Sequence, residues 1–307
     1  MSGPVQPPDL ECEDERLAGV EAREGRGTNV GGLEVTRVLP TKGRRTVGAW
    51  CFVDLMGPAD AENPDPMEVG PHPHIGLSTV TWLLDGEALH TDSLGTEQLI
   101  RPGQLNLMTA GNGIAHAELA AAPPFRGVQM WLAQPEGTRH GTSAFEHHAG
   151  LPEIEFEHGH ALVFMGGLGD VRSPARADTE VVGADLTLRP GRTVLPTATG
   201  FEHAVVALDG RVKVGPEVIE PGWLALVPTG VEELPIEAEH DGTRLLVLGG
   251  EPLGERVQMW WNFVARERHE ITAAWREWDE RTDRFGSVPS TLERIEAPRP
   301  PWLPDPS

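Results

Sequence analysis

Apolar and polar residues alternate along much of this chain, which is the pattern that half-buried β-strands produce. The segments that show it are 35–39, 47–55, 77–84, 104–109 and 127–133. An Asp-Gly pair at 85–86 and a Pro-Gly pair at 102–103 supply turns between such segments. The pattern predicts an all-β protein built from antiparallel strands.

One segment near the end of the chain has a different period. Ile271, Trp275 and Trp278 are spaced at i, i+4 and i+7 among charged residues between 267 and 284. This spacing puts the three side chains on one face of an amphipathic helix. We therefore predict a short C-terminal helix whose tryptophans pack on a core.

An internal repeat predicts two copies of one barrel. Residues 100–111 align with 219–230, and 6 of the 12 positions are identical. Leu-Asp-Gly also recurs, at 84–86 and 208–210. The predicted divisions are a flexible N-terminal leader at 1–28, an N-terminal barrel at 29–148, a C-terminal barrel at 149–290 and a proline-rich tail at 291–307, which either straps onto a groove or stays mobile.

Two pairs of metal-ligating residues are the strongest chemical signal. His72 and His74 form the first pair, and His116 and Glu118 the second. In a strand, residues i and i+2 point the same way from Cα atoms roughly 6.5 to 7 Å apart. If the two strands are neighbours, three imidazoles and one carboxylate can meet at one cation. The plain alternative is a set of histidines facing water, as we expect for the second His-x-His at 158–160.

Composition narrows the set of partners. The chain has 25 Lys and Arg against 47 Asp and Glu, a formal net charge of −22. Because no basic patch is present, direct nucleic-acid binding and binding to anionic membranes are not expected. Cys12 and Cys51 are too few for a disulfide framework, and the N-terminus has no secretory signal. We predict a cytoplasmic protein.

The stretch 70–118 resembles the pirin family, whose members are bicupins made of two cupin jelly-roll β-barrels. The resemblance is carried by PHPHIGLSTVTWLLDG at 71–86, HTDSLG at 90–95 and MTAGNGIAHAE at 108–118. It implies one divalent transition metal, usually taken as Fe(II), with Ni, Co, Mn, Cu and Zn as alternatives that suit the same donors. The ligands that it implies are His72, His74, His116 and Glu118.

Some residues near these ligands leave alternatives open. Ile75 and Ser78 stand where many pirins have Arg or Lys and Glu, so the rim of the pocket is expected to differ. His90 and Asp92 share an i, i+2 relation, and they either orient a ligand imidazole or cap the turn at Gly95.

The resemblance also implies a function. A quercetin 2,3-dioxygenase-type oxidoreductase would cleave a flavonol-like small molecule with O₂ and release carbon monoxide, and Glu118 would be the catalytic proton acceptor as well as a ligand. The alternative is a metal- or redox-dependent regulator that binds a transcription factor or a metabolic enzyme. A third option is another cupin chemistry such as sugar-phosphate isomerisation. Phosphate recognition needs basic residues near the pocket mouth, and Arg101 and Arg126 are the only near candidates, so this option is less attractive.

The repeat predicts that only the first barrel holds metal. When the four ligand positions are carried across, only Glu118 meets a carboxylate, at Glu237. The other three positions, His72, His74 and His116, fall on Pro196, Ala198 and Pro235.

Overall fold

The computed structural model describes residues 17–30, 33–59, 67–120 and 123–304, and most of them lie in antiparallel strands. The first strand, β1, is Glu21–Glu24. Strands β2 to β12 are Arg26–Val30, Leu33–Leu39, Trp50–Ala59, Met67–His74, Leu77–Asp85, Ala88–Asp92, Glu97–Ile100, Leu105–Thr109, Ile114–Ala120, Phe125–Ala133 and Ala144–His148. Strands β13 to β25 are Glu153–Phe156, Gly159–Leu168, Val171–Arg172, Val181–Leu188, Gly191–Pro196, Glu202–Asp209, Val212–Val214, Glu217–Ile219, Trp223–Val227, Glu233–Ala238, Thr243–Gly250, Gln258–Trp260 and Phe263–Ala265.

The strands form two barrels of the same topology. The N-terminal barrel combines a sheet in the order β12, β9, β6, β11, β4, β3, β2 with a sheet in the order β5, β10, β7, β8. The C-terminal barrel repeats this plan as β1, β21, β18, β23, β16, β14, β13, with β15 beside β14, and β17, β22, β19, β20. Strands β9 and β21, which the sequence repeat aligned, occupy matching places. The predictions of an all-β fold and of two barrels are confirmed.

The larger sheets of the two barrels pack face to face and share one apolar core. Strand β6 shows how the sequence allows this. Val80 and Trp82 face the shared core, whereas Thr79 and Thr81 face the interior of their own barrel. The indole nitrogen of Trp82 donates a hydrogen bond of 2.7 Å to Asp185 of the other barrel. Because β6 is buried on both faces, apolar side chains alternate with threonines rather than with charges.

The prediction of a flexible leader is wrong for residues 17–28, the part of it that the structure describes; residues 1–16 lie outside the described ranges. Strand β1 pairs with β21 of the C-terminal barrel, and β2 pairs with β3 of the N-terminal one. Composition misled the prediction because β1 and β2 both lie at sheet edges and remain largely exposed, so they carry little apolar signal.

The C-terminal helix, α1 (Arg268–Asp279), forms as predicted and buries Ile271, Ala274 and Trp278. It packs on the N-terminal barrel with β25, not on the C-terminal barrel in which the sequence division at 149–290 placed it. Residues 291–304 of the tail lie over the helix: the indole nitrogens of Trp275 and Trp278 donate to the carbonyls of Ala297 and Ile295 at 3.1 and 2.9 Å. Among the described residues, no helix combines the length and the apolar character needed to cross a bilayer.

Glu270 fastens this helix to the N-terminal barrel. Its carboxylate accepts a hydrogen bond from Arg139 at 2.5 Å and bonds from the backbone N–H groups of Arg266 and Glu267 at 2.9 and 2.8 Å. Burial alone would raise the pKa of Glu270, but these bonds outweigh it and lower the pKa from 4.5 to about 2. The helix is thus held by an ionised carboxylate.

This pKa predicts an acid-sensitive contribution to stability. A depressed pKa in the folded state stabilises above the unfolded pKa of 4.5, and the contribution is lost as the pH falls toward 2. We expect Glu270→Gln to lower the free energy of unfolding by about 1–2 kcal/mol at pH 7 and by little near pH 2. Urea unfolding at several pH values measures this difference. Glu280→Gln, which removes an exposed carboxylate at the end of the same helix, is the matched control.

Candidate metal centre

Strands β5 and β10 are antiparallel neighbours, so the two candidate ligand pairs lie side by side. His72 is paired with His116 across the strands, and His74 is paired with Ile114. All three histidines are at least nine-tenths buried. The fold thus makes β5 and β10 neighbours, as convergence of the two pairs required.

The three imidazoles converge on one point. Each offers a ring nitrogen within 4.8 Å of the others. The Nε2 atoms of His74 and His116 are 3.1 Å apart, and the ring centroid of His72 lies 4.3 Å from that of His116. A single cation can therefore contact all three.

Glu118 lies next to these three histidines. Its carboxylate falls in a second group of donors, with His90 and His116. The register of β10 against β5 shifts between His116 and Glu118 with the extra residue on β5, whereas β10 stays in register with β7, where Glu118 is paired with His90. The two groups share His116, so they form one continuous cluster in which Glu118 lies beside the three histidines.

Hydrogen bonds fix which nitrogen each histidine presents. His72 Nδ1 donates to the carbonyl of Gly70 at 2.8 Å, and His74 Nδ1 donates to the carbonyl of Asn262 at 3.2 Å. Each Nε2 is then left with a free lone pair. Lone pairs on His74 and His116 at 3.1 Å repel each other, whereas a shared cation stabilises them. The donor set therefore fits a transition metal.

His116 is held by a chain of buried partners. Its Nδ1 lies 3.3 Å from Nδ1 of His90, and Nε2 of His90 lies 3.2 Å from Oδ2 of Asp92. A neutral His90 that donates to Asp92 must accept at Nδ1, so His116 donates there and keeps Nε2 free. The other oxygen of Asp92 accepts from the N–H groups of Leu94 and Thr96. Both readings of His90 and Asp92 thus hold, because Asp92 caps the turn and also orients His90.

This chain predicts a change in metal affinity without a change of ligand. His90→Phe keeps a ring that can stack on Phe145, whose centroid is 4.5 Å away, but it removes the acceptor for His116. We expect metal affinity to fall about 10- to 100-fold. Competition with a chelating dye measures the affinity. Phe145→Leu removes the stack alone and should have little effect; an unchanged affinity in His90→Phe would mean that His90 only packs.

Burial sets the charge states in this cluster. It lowers the pKa of His72 to about 4, and burial together with the neighbouring imidazoles holds the pKa of His74 and of His116 well below the ordinary value. All three are neutral at pH 7, which is the form that binds metal. Burial raises the pKa of Glu118, whose Oε1 accepts a hydrogen bond of 2.9 Å from Thr81.

A cavity of about 490 Å³ opens onto the cluster. His72, His74 and Glu118 form its polar side. Phe52 and Trp131 form an aromatic wall, stacked with ring centroids 3.9 Å apart. The ring of Trp131 also lies close to the cluster, with its centroid 5.3 Å from that of His74.

The two departures from the family pattern lie away from this cavity. Ile75 packs in the apolar cluster that contains Phe263 and Ile271, and the hydroxyl of Ser78 donates to Thr109 at 3.3 Å. Neither residue is among the described residues that line the cavity. The expectation that they alter the pocket rim is not met.

Sequence reasoning missed the cavity residues that come from remote segments. Arg37 and Asp54 form a two-pronged ion pair at 2.7 and 2.6 Å on one side. Trp261 and Asn262 reach the cavity from beyond the C-terminal barrel, and Ile295 reaches it from the tail. No local pattern marks these residues, because their role depends on how the ends of the chain pack.

The C-terminal barrel has no comparable cluster. Every group of metal donors found in the described residues lies in the N-terminal barrel. Strand pairing sets Val194 against Pro235, so the position that corresponds to His72 is Val194, two residues before the one that the repeat gave. Leu195, Leu234 and Ile236 fill the interior, and Glu237 lies outside, 3.1 Å from Lys213.

A larger cavity, of about 940 Å³, lies at the mouth of this second barrel. Its one histidine, His203, is buried, and burial lowers its pKa to about 4. No metal-donor group of the described residues includes it. The partly exposed pair His158 and His160 likewise joins no such group among the described residues.

The protein is a bicupin, because its two barrels follow one plan. Among the described residues the first barrel holds a buried histidine cluster, the one candidate metal centre, whereas the second is filled with aliphatic side chains. The family model for pirin matches residues 32–132, and the model for the pirin C-terminal cupin domain matches 183–286. The chain belongs to the pirin family.

Relatives agree with this assignment. A Pseudomonas aeruginosa protein that is provisionally named a quercetin 2,3-dioxygenase is 42% identical over 89% of this chain and 87% of its own length. A pirin-like protein of Caulobacter vibrioides is 35% identical over 83% of this chain and 91% of its own. The crystal structure of quercetin 2,3-dioxygenase from Acinetobacter baumannii is 38% identical, with a TM-score of 0.87 over 94% of this chain and 97% of that one.

Proposed function

We propose that this protein is a metal-dependent dioxygenase that cleaves a flavonol of the quercetin type. The observation that carries the proposal is the buried cluster of three neutral imidazoles beside Glu118, open to a cavity with an aromatic wall. Relatives named for this activity support it. We place the reaction in the cytoplasm.

The resident cofactor that we propose is one divalent transition metal, Fe(II) first and Ni, Co, Mn, Cu or Zn as alternatives. His72, His74 and His116 would hold it through Nε2, and Glu118 would complete the set with Oε2, which Thr81 leaves free. When bound, such a metal supplies Lewis-acid stabilisation of a deprotonated hydroxyl and a route for O₂ to react.

The chain's own residues position the substrate and take its proton. Phe52 and Trp131 give the cavity an aromatic side, and a cavity of about 490 Å³ is in the range that a drug-sized ligand occupies. Glu118 accepts the proton of the substrate's hydroxyl. Burial raises the pKa of Glu118, and a bound metal would lower it again.

The test is turnover in air. Protein stripped of metal is loaded separately with Fe(II), Mn, Co, Ni, Cu and Zn, then mixed with quercetin. Loss of flavonol absorbance and release of carbon monoxide are expected with at least one metal. Absence of turnover with every metal and with several flavonols would reject the proposal. Protein carrying His116→Ala is the control for metal in solution.

A second candidate function is regulation through a protein partner whose affinity depends on the metal's redox state. The net charge of −22 favours a partner with a basic surface over a nucleic acid. Pull-down from lysate with apo, Fe(II) and Fe(III) protein distinguishes the two functions. A partner that is retained equally by all three forms would contradict a metal switch.

A further inference from the structure

A tight turn from the C-terminal part of the chain reaches into the metal cavity. Trp260 pairs with Phe263 across strands β24 and β25, so only Trp261 and Asn262 connect the two strands. Both residues line the cavity together with His72, His74 and Trp131. We call these two residues the 261–262 turn.

The backbone of this turn is strained at Trp261. Its φ is +51°, in the left-handed region that glycine or asparagine adopts far more readily than a bulky residue. The turn does contain an asparagine, Asn262, but it stands at the next position, where φ is not positive. A tryptophan therefore stands where the backbone favours glycine, and strain of this kind concentrates at functional sites.

The turn is also fixed to the strand that carries His74. The carbonyl of Asn262 accepts the Nδ1 hydrogen of His74 at 3.2 Å. The N–H of Val264 donates to the carbonyl of Ile75 at 3.2 Å, and Phe263 bridges to Ile75. His74 itself points at the metal position. These contacts therefore hold the 261–262 turn, and with it Trp261, beside the metal centre.

Trp261 remains only partly buried in this position. Its ring contacts Phe263 with centroids 5.6 Å apart and planes at 78°, and it packs at the margin of the apolar cluster that contains Ile75. The rest of the side chain borders the cavity. A large, partly buried ring at a strained position on the cavity wall can contact a planar ligand.

We infer that Trp261 is a specificity-determining residue that stacks on an aromatic ring of the substrate, in the cavity that it lines together with Phe52 and Trp131. This inference rests on the proposed function and adds to it the residue that selects a planar ring system over a chelator without a ring. Asn262 has a separate role, because its carbonyl orients His74.

Trp261→Gly separates these roles, since glycine relieves the strain and leaves the carbonyl of Asn262 in place. Binding of quercetin to nickel-loaded protein under argon is followed by fluorescence. We expect affinity to fall at least about tenfold. Acetohydroxamate, which chelates through two oxygens and has no ring, is the matched probe, and its affinity should change less than about threefold. Metal content and the thermal midpoint should stay near those of the wild type.

Trp261→Phe keeps a ring and is expected to bind quercetin within about threefold of the wild type. Unchanged quercetin affinity in Trp261→Gly would overturn the inference. Equal losses for both probes, or loss of metal, would also overturn it, because they would show that the turn acts through His74. Wild-type protein that binds quercetin but does not turn it over would reject the proposed activity alone, and wild-type protein that binds none would reject both.

Discussion

His116→Ala is expected to lower metal affinity by about two to three orders of magnitude, the largest effect of any single change at the centre. His116 belongs to both groups of donors, so its loss removes one donor from each group. A bound metal in a four-ligand site contributes about 10–16 kcal/mol, and one ligand of four therefore accounts for roughly 3 kcal/mol.

The fold should survive this substitution. His116 is fully buried, and its ring contacts are with the imidazoles of His72, His74 and His90. Elemental analysis of protein purified without added metal measures occupancy, and far-ultraviolet circular dichroism checks the fold. His160→Ala, in the partly exposed His-x-His of the C-terminal barrel, is the control. Retained metal in His116→Ala would contradict the assignment of this ligand.

The parts of this structure that were predictable from sequence are those encoded locally. Alternation at 77–84 and 104–109 gave strands β6 and β9, and the repeat at 219–230 gave the second barrel. The convergence of His72, His74 and His116 also followed, because two i, i+2 pairs on neighbouring strands of one barrel have few other places to point.

The partners of Glu118 could not be predicted, because they come from other strands. Its carboxylate accepts a hydrogen bond from Thr81 on β6 and lies in one group of donors with His90 on β7. Which residues of β6 and β7 lie beside Glu118 depends on how the barrel closes, and not on the sequence of β10 itself.

The sequence also did not predict that each end of the chain packs on the barrel formed by the other half. Strand β1 completes the sheet of the C-terminal barrel, whereas α1 and the 261–262 turn pack on the N-terminal barrel. A division of the chain into consecutive segments assumes that neighbours in sequence share a core. Here Trp261 and His74 contribute to one cavity although a whole barrel lies between them in the sequence, and only tertiary packing brings them together.

Glu118→Gln is expected to reduce turnover about 10²- to 10⁴-fold while most of the metal is retained. Glutamine has a single oxygen, which can take either the hydrogen bond from Thr81 or the place beside a cation, so the three histidines would hold most of the metal. It cannot accept a proton, and the hydroxyl of the substrate would remain protonated. Metal content, quercetin affinity and the turnover number, measured on the same preparation, separate these effects.

The matched control is Glu237→Gln, at the corresponding position of the second barrel, where the carboxylate lies at the surface beside Lys213. That variant should behave as the wild type in all three measurements. If Glu118→Gln lost metal and activity in equal proportion, Glu118 would act as a ligand only, and another base would have to take the proton. If it kept full activity, the proton of the substrate would leave by another route on the metal side of the cavity. The raised pKa of Glu118 would then be a consequence of burial without a catalytic role.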